Sequence, residues 1–219
     1  MDILEACNRL ERAGLIAGTS GNVSIRQYAQ SGEQIWTTPT TRLKGLLGEE
    51  ALVGLSLDGE KLDPGSANPS SEIAMHLEIY RAIPWANAVV HAHPITASAL
   101  ATSCELLDFC VTAEGAASVG PVARIDYITP GTEALARACA RAMATGARAI
   151  LMKHHGAVCA GESLEEATAR MESLEHVARV VAQMKALGEL PLLPRDEVER
   201  LRQKVGLGFG LPREVFDVE

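Results

Sequence analysis

Apolar residues recur at helical spacing from the start of the chain. Ile3, Leu4, Cys7 and Leu10 form one stripe over residues 3–13, and Gly14 suits a C-terminal stop. A Gly/Ser-rich turn, GTSGN, then runs into the β-like segment VSIR. Residues 34–38 and 52–57 read as strands, the second closing in a turn at Asp58-Gly59. Asn68-Pro69-Ser70-Ser71 opens a helix to about Ala82, with Ser70 as N-cap and Ile73, Leu77 and Tyr80 on the buried face. The β-branched run ANAVVH, residues 86–91, predicts a buried strand, and a helix follows over 95–103. Short strands are expected over 109–112 and 122–127. A helix rich in Ala and Arg starts at Gly131-Thr132 and ends at Gly146, and AILMK, 149–153, is another buried strand. Ser163 and Glu166 give the capping-box spacing for a long helix over 163–187, and a last helix covers 196–205.

Strands and helices interleave throughout, without an internal repeat, low-complexity run or linker. The expectation is a layered α/β fold in a single domain over residues 1–219. An apolar fraction of 47% over 219 residues is enough for a sizeable core. Twenty basic against 28 acidic residues leave a net charge of -8, which argues against a nucleic-acid partner, because such binding needs a basic footprint. Three Phe, three Tyr and two Trp are too few for a base-stacking surface. No apolar run approaches a membrane span, and the N-terminus MDILEACNRLERAG mixes acids and Arg into its apolar residues, unlike a signal peptide. Cys7, Cys104, Cys110, Cys139 and Cys159 are odd in number and never in CxxC spacing, so they are expected as free thiols in a reducing cytoplasm.

The candidate chemistry begins at His91-Ala92-His93, at the end of a strand. Alternation along a strand puts both rings on one face, about 7 Å apart at Cα, where they can share one divalent metal. The alternative is two partly exposed strand-end histidines. His154-His155-Gly156 ends a second strand, and binding groups collect at strand ends in layered α/β folds. His76 and His176 fall within helices and read as packed or surface residues. Ser70-Ser71-Glu72 stands at a helix start, where free N–H groups and the helix dipole favour an anion, although an ordinary cap has the same pattern. Gly18-Thr19-Ser20-Gly21-Asn22 and Thr38-Pro39-Thr40-Thr41 add two more donor-rich clusters. Together the three fit a phosphate cradle made without basic residues. Arg42 and Lys44, just beyond, read as solvated loop charges, or as one cation reaching the phosphate.

GTSGNVSIR, TPT, PSSE, AVVHAH, a P-G-T before a helix, and HHG before a long helix stand in the order and spacing of the class II aldolase/adducin family. The resemblance covers about residues 5–190 and lies nearest that family's ketose 1-phosphate aldolases. It implies an α/β/α sandwich around a mostly antiparallel sheet, in a homotetramer with active sites at subunit interfaces. It implies that His91, His93 and His155 hold Zn2+, or another divalent transition metal, and that Glu72 is the catalytic acid/base. Asn22, Thr40, Thr41, Ser70 and Ser71 match phosphate-binding positions. The implied reaction is cleavage of a small phosphorylated sugar to dihydroxyacetone phosphate and an aldehyde, through an enediolate stabilised by the metal. Sugar-phosphate epimerases, dehydratases and sugar-acid decarboxylases share the scaffold, and an adducin-like interaction module would lack the metal. This chain departs from the aldolase pattern at Thr41, where the family has glycine, and at FCVTAEGAA, residues 109–117, which lacks the family's tyrosine. Tyr127 further on is expected at a structural position.

Overall fold

The computed structural model describes residues 1–30, 32–103, 108–206 and, by backbone alone, 216–218. Eight strands form one sheet in the order β3-β2-β1-β4-β7-β6-β5-β8. They are β1 Asn22–Ala29, β2 Gly32–Thr37, β3 Val53–Leu55, β4 Ala88–Ala92, β5 Val122–Ile125, β6 Ala149–Met152, β7 Gly156–Gly161 and β8 Phe216–Val218. Five of the seven pairings are antiparallel; only β5 with β6 and β5 with β8 are parallel. Of the six α-helices among the described residues, α1 Ile3–Arg12, α2 Ile73–Ala82, α3 Ile95–Thr102, α4 Glu133–Ala144 and α5 Leu164–Ala186 cover the sheet, and α6 Arg195–Lys204 packs on the segment around Cys110 and Ala116.

The period-2 rule sorts the layers. In β4, Ala88, Val90 and Ala92 join a core shared with α1, α3 and α5, while Val89 joins the opposite core with α2 and α4. The sheet is therefore sandwiched between two helical layers. β4, β6 and β7 are buried at every position, and in β4 and β6 this is why the sequence reads as an apolar run. Each buried Val, Leu or Ile side chain in these cores contributes roughly 1.5–3 kcal/mol.

Local chemistry sets the ends of several elements. Asp2 Oδ1 accepts from the Glu5 N–H at 2.8 Å and caps α1, whose buried face is Ile3, Ala6, Cys7 and Leu10. Ser163 Oγ accepts from the Glu166 N–H at 3.2 Å, but Glu166 Oε2 reaches back to the Glu162 N–H at 2.7 Å, one residue short of the cap. α2 begins later than its sequence suggests. Glu72, not Ser70, is its N-cap residue, and Ser70 Oγ instead accepts from the Glu72 N–H at 3.3 Å in the turn before the helix.

Other expectations are corrected. Residues 109–112 form no strand: Cys110 N–H turns back onto Asp108 Oδ1 at 2.6 Å, and a single π turn, Gly115–Val119, follows. β7 was not expected, because its small-residue sequence GAVCAG lacks the β-branched signal. It lies between β4 and β6 at the centre of the sheet. Cys7, Cys139 and Cys159 are buried free thiols that burial pushes up to about 12, and Cys110 is buried as well. Cys104 lies outside the described residues. Among the described residues no helix is long and apolar enough to cross a membrane.

Candidate metal centre

His91 has the strand parity of Val89, so it faces the layer that contains α2. β7 pairs antiparallel with both β4 and β6, through Ala92↔Ala157 and Met152↔Gly156. The end of β4 and the β6–β7 turn therefore lie side by side, which brings His91, His93 and His155 together. Their ring centroids are 4.8–5.3 Å apart, and one nitrogen from each lies within 4.8 Å of the others. Gly156 permits this packing. A Cβ there would stand 2.5 Å from the Ala92 carbonyl oxygen and 2.8 Å from His93 Cδ2.

Protons and charges in the cluster follow from its partners. The Ala157 carbonyl can only accept, so His91 donates Nδ1–H to it at 2.9 Å and turns Nε2 toward the cluster. That Nε2 faces His93 Nε2 at 3.2 Å and Glu72 Oε2 at 3.1 Å, while Glu72 Oε1 lies 3.2 Å from His155 Nε2. Burial, followed by the neighbouring His91 and His155, pushes His93 down to about 4, which keeps it neutral at pH 7. Burial alone would raise Glu72, but its pairing with His155 and His91 holds the carboxyl well below the usual range, as an anion. Imidazole nitrogens facing one another at 3.2 Å, with a carboxylate against His91 and His155, call for a shared cation between them, a proton or a metal ion. Three imidazoles with a carboxylate beside them are a donor set that could hold a divalent transition metal.

The donor-rich clusters join this centre through the backbone. Asn22 pairs with His91 in the β1–β4 ladder, and its Nδ2 donates to Glu72 Oε2 at 3.3 Å. Its buried Oδ1 has no partner. Thr38 bridges to β1, its N–H donating to Val23 O at 3.0 Å and its Oγ1 accepting from Val23 N–H at 3.3 Å. Pro39 and Pro69 form an isolated antiparallel bridge, with Thr40 N–H on Asn68 O at 3.0 Å and Ser70 N–H on Thr38 O at 3.3 Å. The segments bearing Asn22, Thr40 and Ser70 thus adjoin one another. Ser70 is buried and Thr40 half-buried, while Thr41 and Ser71 are exposed. Thr41 has φ +53°, in the left-handed region that a β-branched residue rarely occupies.

Several other side chains differ from their sequence reading. Lys44 is not solvated: it is 2% exposed, and its ammonium donates to the carbonyls of Thr19, Pro39 and Arg42. Tyr127 is exposed, its ring edge-on to His154 at 6.4 Å, and is not a core residue. His154 points away from the cluster on an exposed turn with φ +56°. His76 is packed as expected, with Nδ1 on Ser24 Oγ at 2.7 Å and Ser24 Oγ on Tyr80 Oη at 2.7 Å. Burial, then His91, pushes it down to about 3. His176 is on the surface. Two contributors gave no sequence signal: the Ala157 carbonyl, and Glu175, whose buried carboxylate accepts from the N–H groups of Thr96 and Ala97 at the start of α3, just after His93.

Similarity to known proteins identifies the family. Residues 1–182 match the model of the class II aldolase and adducin N-terminal domain. The chain is 33% identical over 220 residues to a 5-deoxy-D-ribulose 1-phosphate aldolase of Bacillus thuringiensis, covering 95% of each chain. It is 34% identical over 197 residues to a 3-oxo-tetronate 4-phosphate decarboxylase of Escherichia coli, covering 86% of this chain and 88% of that one. Among solved structures, an L-fuculose-1-phosphate aldolase of Thermus thermophilus superposes with a TM-score of 0.71 at 30% identity, over 85% of this chain and 94% of that one. The extent of the family match, together with the mostly antiparallel sheet between two helical layers, establishes that this chain is an enzyme of the class II aldolase and adducin family.

Proposed function

We propose that the chain is a divalent-metal-dependent aldolase that cleaves a ketose 1-phosphate to dihydroxyacetone phosphate and an aldehyde. The observation that carries this reading is the cluster of three imidazoles, two of them within 3.2 Å of the Glu72 carboxylate, with Asn22 and the Ser70 turn adjoining it. His91, His93 and His155 would hold the metal, with zinc the ion best suited to three imidazoles and an open position. When bound, the metal supplies Lewis-acid stabilisation of the enediolate oxygens.

The remaining steps fall to the chain's own groups. In the cleavage direction the C4 hydroxyl loses its proton, the C3–C4 bond breaks, and its electron pair becomes the enediolate. A proton delivered to C3 completes dihydroxyacetone phosphate. Glu72 is assigned that proton, taking it from C3 in the condensation direction, because its half-buried carboxylate lies against His91 and His155. Asn22, Thr40, Thr41, Ser70 and Ser71 are assigned to the phosphate, through side-chain donors and N–H groups at the start of α2. The Ala157 carbonyl keeps the His91 ring in the tautomer that leaves Nε2 available.

A second reading is decarboxylation of a phosphorylated 3-oxo acid. The 34% identity to the Escherichia coli decarboxylase favours it, as does the missing tyrosine in residues 109–117. Both reactions leave an enediolate-type carbanion, so the same centre could serve either. A panel of ketose 1-phosphates and 3-oxo acid 4-phosphates separates them. Dihydroxyacetone phosphate released without carbon dioxide supports the aldolase, and carbon dioxide release from the oxo acid alone replaces it with the decarboxylase.

A further inference from the structure

Lys44 is a buried cation outside the proposed chemistry. It is 2% exposed, and all three of its N–H bonds are committed to backbone carbonyls: Thr19 O at 3.2 Å, Pro39 O at 3.2 Å and Arg42 O at 2.9 Å. An ammonium has three donors, so none remains for a ligand. Those carbonyls belong to two different segments. Thr19 lies in the GTSGN turn that leads into Asn22, and Pro39 and Arg42 bracket Thr40 and Thr41. Burial lowers the pKa of this amine, so its place in the fold carries a desolvation cost that the three carbonyls offset.

A second observation concerns the same turn. Thr41 holds φ +53°, a conformation unfavourable for a β-branched residue, which persists there only where its surroundings over-determine it. Thr41 stands between the Pro39 and Arg42 carbonyls, both held by Lys44. The clamp thus lies where glycine would have made one unnecessary.

We propose that Lys44 is the positioning residue of the phosphate-binding end of the site. By tying the Thr19, Pro39 and Arg42 carbonyls together, it fixes the Asn22 segment against the Thr40-Thr41 turn, so that both present donors to one phosphate dianion. Its charge lies behind the backbone it organises and adds to the potential felt by that dianion. The inference deepens the proposed function and rests on that reading of Asn22, Thr40 and Thr41 as phosphate ligands.

The test uses the metal-loaded full chain with inorganic phosphate as the probe, alongside KM and kcat for a cleaved ketose 1-phosphate. Lys44→Met keeps the length and apolar stem but removes the three donors. It is expected to weaken phosphate binding about 10-fold or more, with the loss in KM exceeding that in kcat and the metal content preserved. Lys44→Arg keeps the charge without the same three-carbonyl geometry and should fall between the two; it also serves if Lys44→Met does not fold. Thr41→Gly in the Lys44→Met background should recover part of the lost phosphate affinity, because glycine holds a positive φ unaided. Phosphate affinity within twofold of wild type in both Lys44 variants overturns the inference. Absence of phosphate binding by the wild-type holoenzyme overturns the cradle itself, and is visible before any variant is made.

Discussion

The histidine end of the site and the anion end are built by different means. His91, His93 and His155 stand at the ends of three hydrogen-bonded strands whose registers are fixed by buried faces on both sides. A one-residue slip in β4 would turn His91 out of the cluster and drive alternate core residues into the wrong layer, so register there is strongly specified. At the anion end Asn22 shares the β1–β4 ladder, but the turns that bear Thr40, Thr41, Ser70 and Ser71 do not. Its turns are joined by single bridges, Thr38 to Val23 and Pro39 to Pro69, and by one buried ammonium. Side chains fixed by the sheet are the ones the whole core protects. Donors presented by turns depend on a few local contacts, each net worth about 0.5–1.5 kcal/mol, and more where a charge takes part. Damage to the two ends should therefore differ in kind: loss of chemistry at one, loss of affinity at the other.

The largest effect should come from the histidines. His91→Ala, His93→Ala or His155→Ala is expected to strip the metal and lower turnover on the order of 10³-fold or more, since Lewis-acid stabilisation is worth several kcal/mol. Metal analysis and circular dichroism on each variant check this. Full metal content in His155→Ala would move the ligand role to His154, against its outward-facing place on the β6–β7 turn. Glu72→Gln comes next. The amide is nearly isosteric but cannot exchange the proton, so turnover should fall roughly 10²–10⁴-fold with the metal retained. Turnover within threefold of wild type would reduce Glu72 to a helix-start residue.

A third substitution asks how far the rigidity of the histidine end extends beyond the sheet. Glu175 caps α3 just after His93, and Glu175→Gln should destabilise the fold by about 1–3 kcal/mol, because buried N–H groups lose a charged acceptor. Denaturant unfolding measures it; an unchanged midpoint would show that α3 holds its place without the carboxylate. The smallest effect belongs to the anion end. Ser71→Ala should raise KM for a ketose 1-phosphate about 10-fold, the loss of one charge-assisted hydrogen bond of ~1.5 kcal/mol, with metal content unchanged. Equal kcat/KM for the ketose and its 1-phosphate in wild type would remove the cradle altogether.

The same contrast explains what could be read in advance. The His-Ala-His pair declared its common face through the period of 2, and β4 and β6 declared themselves through β-branched and apolar runs. The helices over 163–187 and 131–146 carried caps and stops that the structure places within one or two residues. β7 escaped notice because Gly, Ala and Cys carry no strand propensity, and its burial on both faces selected small residues. Ser70 read as a cap because the Ser-x-Glu pattern suits one, but the Pro39–Pro69 bridge holds it in the turn before the helix.

The sequence by itself determined the alternation of elements, the two apolar faces of the sheet, the strand-end histidines and three donor-rich turns. These follow from local periodicity and side-chain chemistry, which residues carry wherever they sit. Local pattern left open which histidines meet; the family resemblance implied His91, His93, His155 and Glu72, and tertiary structure brings these four together, turns the His91 ring with a carbonyl of β7 and buries Lys44. Each of these is a contact between segments far apart in the chain, or with a backbone group that every residue has. Local pattern is silent on both, and only the pairing of β4 with β7 and the stitching of the turns supplied them.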